Sequence, residues 1–117
     1  MDSQFPEHLP DHSLVLKIAD EVARMEKNLL RMDPDVKGVK PLLKALARIN
    51  DNLRAYGYEV VTYLGQPYDE GMRVIPEFVF DDTLPPGARI ITSVSRPQVH
   101  FNGRLIQKAS VTVSQNL

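Results

Sequence analysis

The sequence predicts an α+β protein in which an N-terminal antiparallel helical hairpin precedes a small all-β head of short strands. Two long stretches near the N-terminus repeat apolar residues at intervals of three and four, which is the period of amphipathic helices. After Gly57 the pattern changes to short β-branched and aromatic runs separated by Gly, Pro and Asp. We therefore divide the chain into an arm (residues 1–13), a helical hairpin that dimerises (residues 14–57) and a β head (residues 58–117).

The composition narrows the class of function. With 117 residues and a formal net charge of −1, the chain is one small domain without a general electrostatic basis for binding nucleic acid or an acidic membrane. It has no cysteine, which excludes disulfides and thiolate metal sites and favours a reducing, cytoplasmic location. No apolar run approaches the roughly 18 residues of a membrane span, and residues 1–13 do not resemble a signal peptide.

The first helix is predicted over residues 14–32. Residues 1–12 contain two prolines and little periodicity, so we expect a loose arm there. Either Asp11 or Ser13 can cap the helix that follows. Asp33 and Pro34 should end it, because the residue before a proline avoids the α conformation.

The second helix is predicted from Val39 to Tyr56, with Pro41 in its first turn and Gly57 just past its end. A short loop joins the two helices, so they should pair as an antiparallel hairpin. Their apolar faces are too broad to be buried on each other alone. Either the β head or the hairpin of a second copy covers the rest, and we favour a homodimer with a four-helix bundle. The expected interface residues are Ile18, Val22, Met25, Leu29, Leu42, Leu46, Ile49 and Leu53.

The β head should contain five or six short strands. Three are expected at residues 58–63, 73–80 and 88–95, and Pro76 should make the second an edge strand or a bulge. Residues 97–114 are interpreted as two strands joined at Asn102-Gly103, a pair that suits a type I′ turn. In the arm after this turn, Ala109, Val111 and Val113 alternate with polar residues, which is typical of a half-buried strand.

Residues for catalysis or metal binding are scarce. His8 and His12 have a spacing of four, but no third ligand lies near them in the sequence, and His100 is the only other histidine. No serine stands in a nucleophile motif, and the adjacent Asp81 and Asp82 are typical of a solvated turn. We therefore expect no metal, no cofactor and no enzymatic activity.

The residues of the β region are also compatible with one other function. The β region contains five basic side chains that alternate with aromatic ones, a pattern that a platform for single-stranded nucleic acid also shows. Acidic residues are interleaved with them, which makes this the weakest alternative. The basic residues are Arg73, Arg89, Arg96, Arg104 and Lys108.

Several motifs occur in a fixed order after the two helices: Gly57-Tyr-Glu-Val-Val61, Gly65-Gln-Pro-Tyr-Asp69, Leu84-Pro-Pro-Gly87, Asn102-Gly-Arg-Leu-Ile106 and Ala109-Ser-Val-Thr-Val113. In this order and spacing, from about residue 14 to residue 113, the chain resembles GrpE, the nucleotide exchange factor of the DnaK chaperone. The resemblance implies a helical bundle at a dimer interface, a small β head and a DnaK-type, actin-fold ATPase as partner.

The chain departs from the GrpE pattern in several places. Only about 13 residues precede the first helix, where the family has a long stalk helix. Arg73 and Ile75 stand where the family usually has His and Ala, and Gln98, Val99 and Gln107 replace other typical residues. The resemblance is therefore to a divergent, stalkless relative.

The resemblance also implies where a partner would bind. The family's partner-binding surface on the head corresponds to Tyr68, Asp69 and Glu70, and to Phe101, Asn102, Gly103 and Arg104 around the hairpin turn. Asp69 could instead cap its own turn, Arg104 could be a solvated charge, and Tyr68 could be an aromatic at the edge of the core. An adaptor that binds a partner without exchanging nucleotide is the main alternative function.

Overall fold

The computed structural model describes residues 11–117, so most of the predicted arm, with His8, lies outside the described residues. Two helices precede six strands in two sheets, which confirms the α+β class. The helices are α1 (Ser13–Leu30) and α2 (Val39–Ala55). The strands are β1 (Tyr58–Val61), β2 (Ile75–Phe80), β3 (Arg89–Arg96), β4 (Gln98–Phe101), β5 (Arg104–Gln107) and β6 (Ser110–Gln115).

The cap residue of α1 is His12, whose side chain makes no capping bond, and not Asp11 or Ser13 as predicted. Asp11 accepts a hydrogen bond at 3.0 Å from the backbone N–H of Ser13, the first residue of α1. This bond lowers the pKa of the exposed Asp11 carboxyl. The helix ends at Leu30, two residues before the predicted end, and Asp33 accepts a bond from the N–H of Asp35 in the loop that follows.

The two helices pack against each other as a hairpin and leave part of their apolar faces exposed. Ala19 and Val22 of α1 and Val39 and Leu46 of α2 are buried within the single chain. Other apolar positions of the same helices remain open to solvent. They are Leu14, Ile18, Met25 and Leu30 of α1 and Leu42 of α2.

The strands form two three-stranded sheets. The first has the order β1-β4-β5, and both of its pairings are antiparallel. In the second, with the order β2-β6-β3, β2 runs parallel to β6 and β3 runs antiparallel to it. As predicted, Pro76 lies in an edge strand, and Asn102 and Gly103 both have positive φ, 49° and 83°.

One prediction about this region was wrong. The chain after the Asn102-Gly103 turn is not one strand but two, because β5 pairs with β4 in the first sheet and β6 lies between β2 and β3 in the second. The alternation of apolar and polar residues begins only at Ala109, after the polar pair Gln107-Lys108, and the chain passes between the sheets at this point. Ala109, Val111 and Val113 are nevertheless buried as expected, and with Ile91 they form the core of the head.

Asp20 of α1 connects the helical hairpin to both sheets. Its carboxylate accepts a hydrogen bond at 2.9 Å from the side-chain amide of Gln107, at the end of β5. Its other oxygen lies 3.5 Å from Nε of Arg96, at the end of β3. Gln107 also donates to the carbonyl of Pro97, between β3 and β4. This contact fixes the hairpin where the two sheets meet.

The outer edges of the second sheet differ. The free edge of β3 is covered by residues 65–68, where Gly65 donates to the carbonyl of Ile91, Ile91 donates to that of Gln66, and Tyr68 donates to that of Arg89. The sheet order gives β2 a single neighbour, β6. The second sheet therefore has one covered edge and one open edge.

Candidate partner-binding surfaces

The first candidate surface, the Tyr68 surface, consists of Tyr68, Asp69 and Glu70 in the loop before β2. It is organised by Arg89 at the start of β3. The Arg89 guanidinium lies 4.9 Å from the ring centre of Tyr68 and 5.5 Å from that of Phe78. It donates to Glu70 at 3.1 Å and, through Nε, to the side chain of Gln115 at 3.1 Å. The guanidinium of Arg89 is therefore engaged in contacts within the fold.

The remaining residues of this loop are also held by local contacts. Asp69 accepts a hydrogen bond at 3.2 Å from the backbone N–H of Gly71, two residues later, so it stabilises its own turn. Tyr68 is half-buried against the core of the head and meets Phe78 edge to face. Glu70 is exposed, with 77% of its side chain open to solvent.

The second candidate surface, the Asn102 turn, consists of Phe101, Asn102, Gly103 and Arg104. The N–H of Asn102 donates to the carbonyl of Gly57 at 2.9 Å, which fixes the turn against the chain just after α2. A Cβ on Gly57 would lie only 2.5 Å from the Asn102 side-chain oxygen. A residue with a Cβ at this position would therefore displace the Asn102 side chain, and the φ of 95° at Gly57 also favours glycine.

Aromatic packing supports the base of the Asn102 turn. Phe101 lies 4.7 Å, between ring centres, from both Tyr58 and His12. His12 Nδ1 also lies 2.7 Å from the Tyr58 hydroxyl. The residue before α1 thus contacts the first sheet, a contact that sequence reasoning missed because nothing near His12 in the chain signals it.

Arg104 has an exposed side chain at the first position of β5. Among residues 11–117, no carboxylate lies within ion-pair distance of its guanidinium. This differs from Arg89, whose donors are used by Glu70 and Gln115. Arg104 therefore presents the planar hydrogen-bond donors of its guanidinium from a turn whose backbone is held by Gly57.

The two candidate surfaces do not come together in the single chain. The Asn102 turn pairs with the beginning of β1, because Phe101 is opposite Tyr58. The Tyr68 surface pairs with the beginning of β3 in the other sheet. Within the described part of the chain, no hydrogen bond, ion pair or ring contact joins them. A partner that uses both would have to span the head.

The eight predicted interface residues of the helices fall into three groups. Val22 and Leu46 are already buried within the chain, at 3% and 5% exposure. Ile18, Met25 and Leu42 are exposed, at 38%, 46% and 54%. The remaining three are half-buried: Leu29, Ile49 and Leu53. The exposed group is the part available to another chain.

A polar cluster in the first sheet was also missed by sequence reasoning. Gln98 is buried at 5% exposure and donates to the Tyr63 hydroxyl at 3.1 Å, while its own carbonyl oxygen has no partner. His100 Nδ1 lies 3.7 Å from Glu59, which is too long for a hydrogen bond. These residue types are scattered along the sequence, so only the β1–β4 pairing shows the cluster.

Sites for metal ions and small molecules are sparse in the described chain. Residues 11–117 contain no group of three or more His, Asp or Glu side chains that could hold a metal ion. A cleft of about 440 Å³ lies between α1 and the strands, lined by Leu30, Arg31, Thr62, Thr92 and Val94 among others. None of the described helices is both long and apolar enough to cross a membrane.

Comparison with known proteins gives no further indication of family. No protein-family model matches the chain, and no curated protein matches it significantly.

Proposed function

We propose that this protein is a GrpE-like co-chaperone, a cytoplasmic nucleotide exchange factor for a DnaK-type, actin-fold ATPase. Two copies associate through their helical hairpins, and the β head binds the nucleotide-binding domain of the ATPase. The observation that carries the proposal is a helical hairpin with an exposed apolar stripe, followed by a β head with an arginine on a held turn that pairs with no carboxylate among residues 11–117. The protein has no catalytic role of its own in this scheme.

The apolar stripe on α1 supports the dimer. Leu14, Ile18 and Met25 lie within about 40° of one another around the helix, because each residue advances about 100°. Their exposed fractions are 68%, 38% and 46%. Such a stripe on an amphipathic helix favours association with another apolar surface.

The elongated shape of the chain supports the same arrangement. The Cα radius of gyration is 17.0 Å, whereas a compact domain of this length has a radius of about 13 Å. The head therefore does not cover the outer faces of the helices. A second hairpin would cover them and form the four-helix bundle.

Arg104 supports the role of the head as the binding element. A guanidinium offers five donors in a planar arrangement that matches a carboxylate. The Asn102 turn holds its backbone, so binding would have to order the side chain but not the backbone. An acidic group on the ATPase is the expected counterpart.

The exchange activity would follow from thermodynamic linkage. A protein that binds the open form of the ATPase better than the closed form shifts the population toward the open form. ADP that prefers the closed form must then bind more weakly, by the same coupling free energy. The co-chaperone needs only differential binding, and no group of its own has to touch the nucleotide.

The exchange test measures release of fluorescent ADP from a DnaK-type ATPase with and without this protein. Wild type should accelerate release, and Arg104→Ala should weaken binding to the ATPase by about 2 kcal/mol, the loss typical of an interface anchor. Arg24→Ala is the matched control, because Arg24 is an exposed arginine on α1 that, within residues 11–117, forms an ion pair only with its neighbour Glu21. It should behave as wild type.

Three outcomes would change the proposal. Binding without faster release would favour the adaptor, which uses the same head but does not discriminate between ATPase states. If Arg104→Ala binds as well as wild type, the partner uses another face. Binding of single-stranded nucleic acid in place of the ATPase would favour the weakest alternative.

The dimer test compares an exposed position with a buried one. Leu42→Glu should give a folded monomer, because Leu42 is 54% exposed in the single chain and its side chain is needed only in the bundle. Leu46→Glu should unfold the chain, because this buried position offers no partner for a charge. Sedimentation and circular dichroism distinguish these results. A wild-type monomer at micromolar concentration would contradict the dimer.

A further inference from the structure

The open edge of β2 carries an unusual amount of exposed apolar surface. Four of its six side chains are large, apolar and open to solvent: Ile75 (56% exposed), Phe78 (46%), Val79 (45%) and Phe80 (66%). Edge strands in monomeric proteins are usually short, charged or covered, since an open apolar edge pairs with other chains. The opposite edge of the same sheet is covered by residues 65–68.

The backbone of β2 offers a defined set of free hydrogen-bonding groups. The N–H of Ile75 donates to Ala109 at 2.7 Å, and the N–H of Asp81 donates to Gln115 at 2.9 Å. Backbone groups alternate along a strand, so odd-numbered residues face β6 and even-numbered residues face outward. Phe78 and Phe80 therefore present both N–H and C=O to the outside, while Pro76 presents only its C=O.

Carboxylates lie in this strand and beside it in the sequence, and the guanidinium of Arg89, which lies over Phe78, is paired with one of them, Glu70. Residues 69–82 contain five carboxylates and one arginine. Glu77 lies in the strand itself, and Asp81 follows it directly. Thr83 donates to Asp81 through its hydroxyl and its N–H, which lowers the pKa of that carboxyl and keeps it ionised. Within residues 11–117, neither Glu77 nor Asp81 forms an ion pair.

The same features disfavour pairing with a second copy of β2. A two-fold dimer needs antiparallel pairing, in which even-numbered residues face each other. If Phe78 faces Phe78 of the other copy, Pro76 faces Phe80 and a hydrogen bond is lost on each side. If Phe78 faces Phe80, Glu77 faces Asp81 and like charges meet twice. Neither register is favourable.

We propose that the β2 edge binds an extended, basic peptide segment of a partner protein as an added antiparallel strand. The partner's apolar residues lie opposite Phe78 and Phe80, and its Lys or Arg residues lie opposite Glu77 and Asp81, so apolar and basic residues alternate along it. Main-chain bonds to Phe78 and Phe80 supply affinity, and the carboxylates supply selectivity. This inference does not depend on nucleotide exchange, since it concerns a different edge of the head.

The test uses a short fluorescein-labelled peptide of alternating lysine and valine and follows its anisotropy on addition of the full-length protein. The alternating peptide should bind. A peptide of the same composition with all lysines before all valines should bind at least about tenfold more weakly, a difference of roughly 1.4 kcal/mol. A peptide of alternating glutamate and valine should also bind more weakly. Amide exchange should slow at Phe78 and Phe80 when the alternating lysine peptide is bound.

Two substitutions at one position separate the backbone from the side chain. Phe80→Pro removes an outward N–H without touching the bonds to β6, and should weaken binding about tenfold. Phe80→Leu keeps the N–H and an apolar side chain, and should bind nearly as wild type. If Phe80→Pro fails to fold, Glu77→Lys tests the proposal instead. This substitution should weaken binding of the alternating lysine peptide and strengthen binding of the alternating glutamate peptide.

The proposal is overturned by any of three results. One is that the alternating lysine peptide does not bind wild type. Another is that the alternating lysine peptide binds to folded Phe80→Pro, or to Glu77→Lys, as tightly as it binds to wild type. The third is that the protein associates with itself through β2, in a way that Phe80→Pro abolishes, since a second copy would then be the occupant. ADP release is not part of this assay, so its outcome is independent of the exchange test.

Discussion

The Tyr68 surface and the Asn102 turn both contain an arginine near an exposed loop, but the two arginines are used differently. Arg89 contacts two aromatic rings, Glu70 and Gln115, and its side chain is 25% exposed. Arg104 is exposed on a turn whose backbone is fixed by Gly57, and it contacts no carboxylate among residues 11–117. Arginines with satisfied donors hold a fold together, whereas one with free donors on a rigid turn can bind a partner.

The largest expected effect is that of Arg89→Ala. It removes two cation–π contacts, the hydrogen bond to Gln115 and the aliphatic packing of the side chain, so we expect a loss of about 2 kcal/mol in the free energy of unfolding. The ion pair to the exposed Glu70 adds little to this. Arg89→Lys keeps the charge but not the planar fork, and should lose about half as much. Urea denaturation measures both.

Arg104→Ala is the counterpart that tests the comparison. It should change the free energy of unfolding by less than about 0.5 kcal/mol, the usual range for an exposed site. If Arg104→Ala destabilises the protein as much as Arg89→Ala, the distinction between the two arginines is wrong. If Arg89→Ala is as stable as wild type, its contacts contribute nothing and the Tyr68 surface is open for binding.

A smaller effect, measured as the difference from a control substitution, is expected from Gly57→Ala, which probes what holds the Asn102 turn. The control is Gly38→Ala. Gly38 has φ of 96°, almost the same as Gly57 at 95°, but a Cβ there would meet nothing within 4 Å. Both substitutions carry the strain of positive φ, on the order of 1 kcal/mol. Only Gly57→Ala also displaces the Asn102 side chain, so it should cost about 1 kcal/mol more.

A double substitution makes this test specific. In an Asn102→Gly background the side-chain oxygen that a Cβ on Gly57 would meet is gone. Most of the difference between Gly57→Ala and Gly38→Ala should then disappear, because Asn102 and Gly57 are coupled by direct contact. A difference that stays unchanged would show that the turn is not held at this point, and that Arg104 is less rigid than its position suggests.

The sequence predicted the features that depend on neighbouring residues. The two helices, Gly57 after α2, the positive φ of Asn102 and Gly103, and the edge position of the Pro76 strand all follow from local backbone preferences. The division of the last arm into β5 and β6 was not predictable. The polar pair Gln107-Lys108 interrupts the alternation, but no Gly, Pro, Asn or Asp stands there to mark the end of a strand, so only the tertiary pairing separates them.

The same limit applies to the candidate surfaces. The turn bond of Asp69 was predictable, because its carboxylate reaches only two residues along the chain. The role of Arg89 was not, because its contacts lie up to 26 residues away. The Asp20–Gln107 bond spans 87 residues and has no sequence motif. Long-range polar contacts depend on the completed fold, and a single sequence carries no local pattern for them.

A small loss of stability is expected from Asp69→Ala. This substitution tests whether the Tyr68 surface binds a partner through the charge of Asp69 or only through the shape of its turn. Asp69 accepts one exposed bond from Gly71, so its loss should cost about 0.5–1 kcal/mol of stability. Asp69→Asn keeps an acceptor oxygen and should therefore retain most of this stability, but it lacks the negative charge. ATPase binding is then measured for both variants. If Asp69→Asn binds as wild type while Asp69→Ala does not, Asp69 acts by holding the turn. If both bind weakly although Asp69→Asn is stable, the carboxylate itself contacts the partner, and the Tyr68 surface shares binding with Arg104.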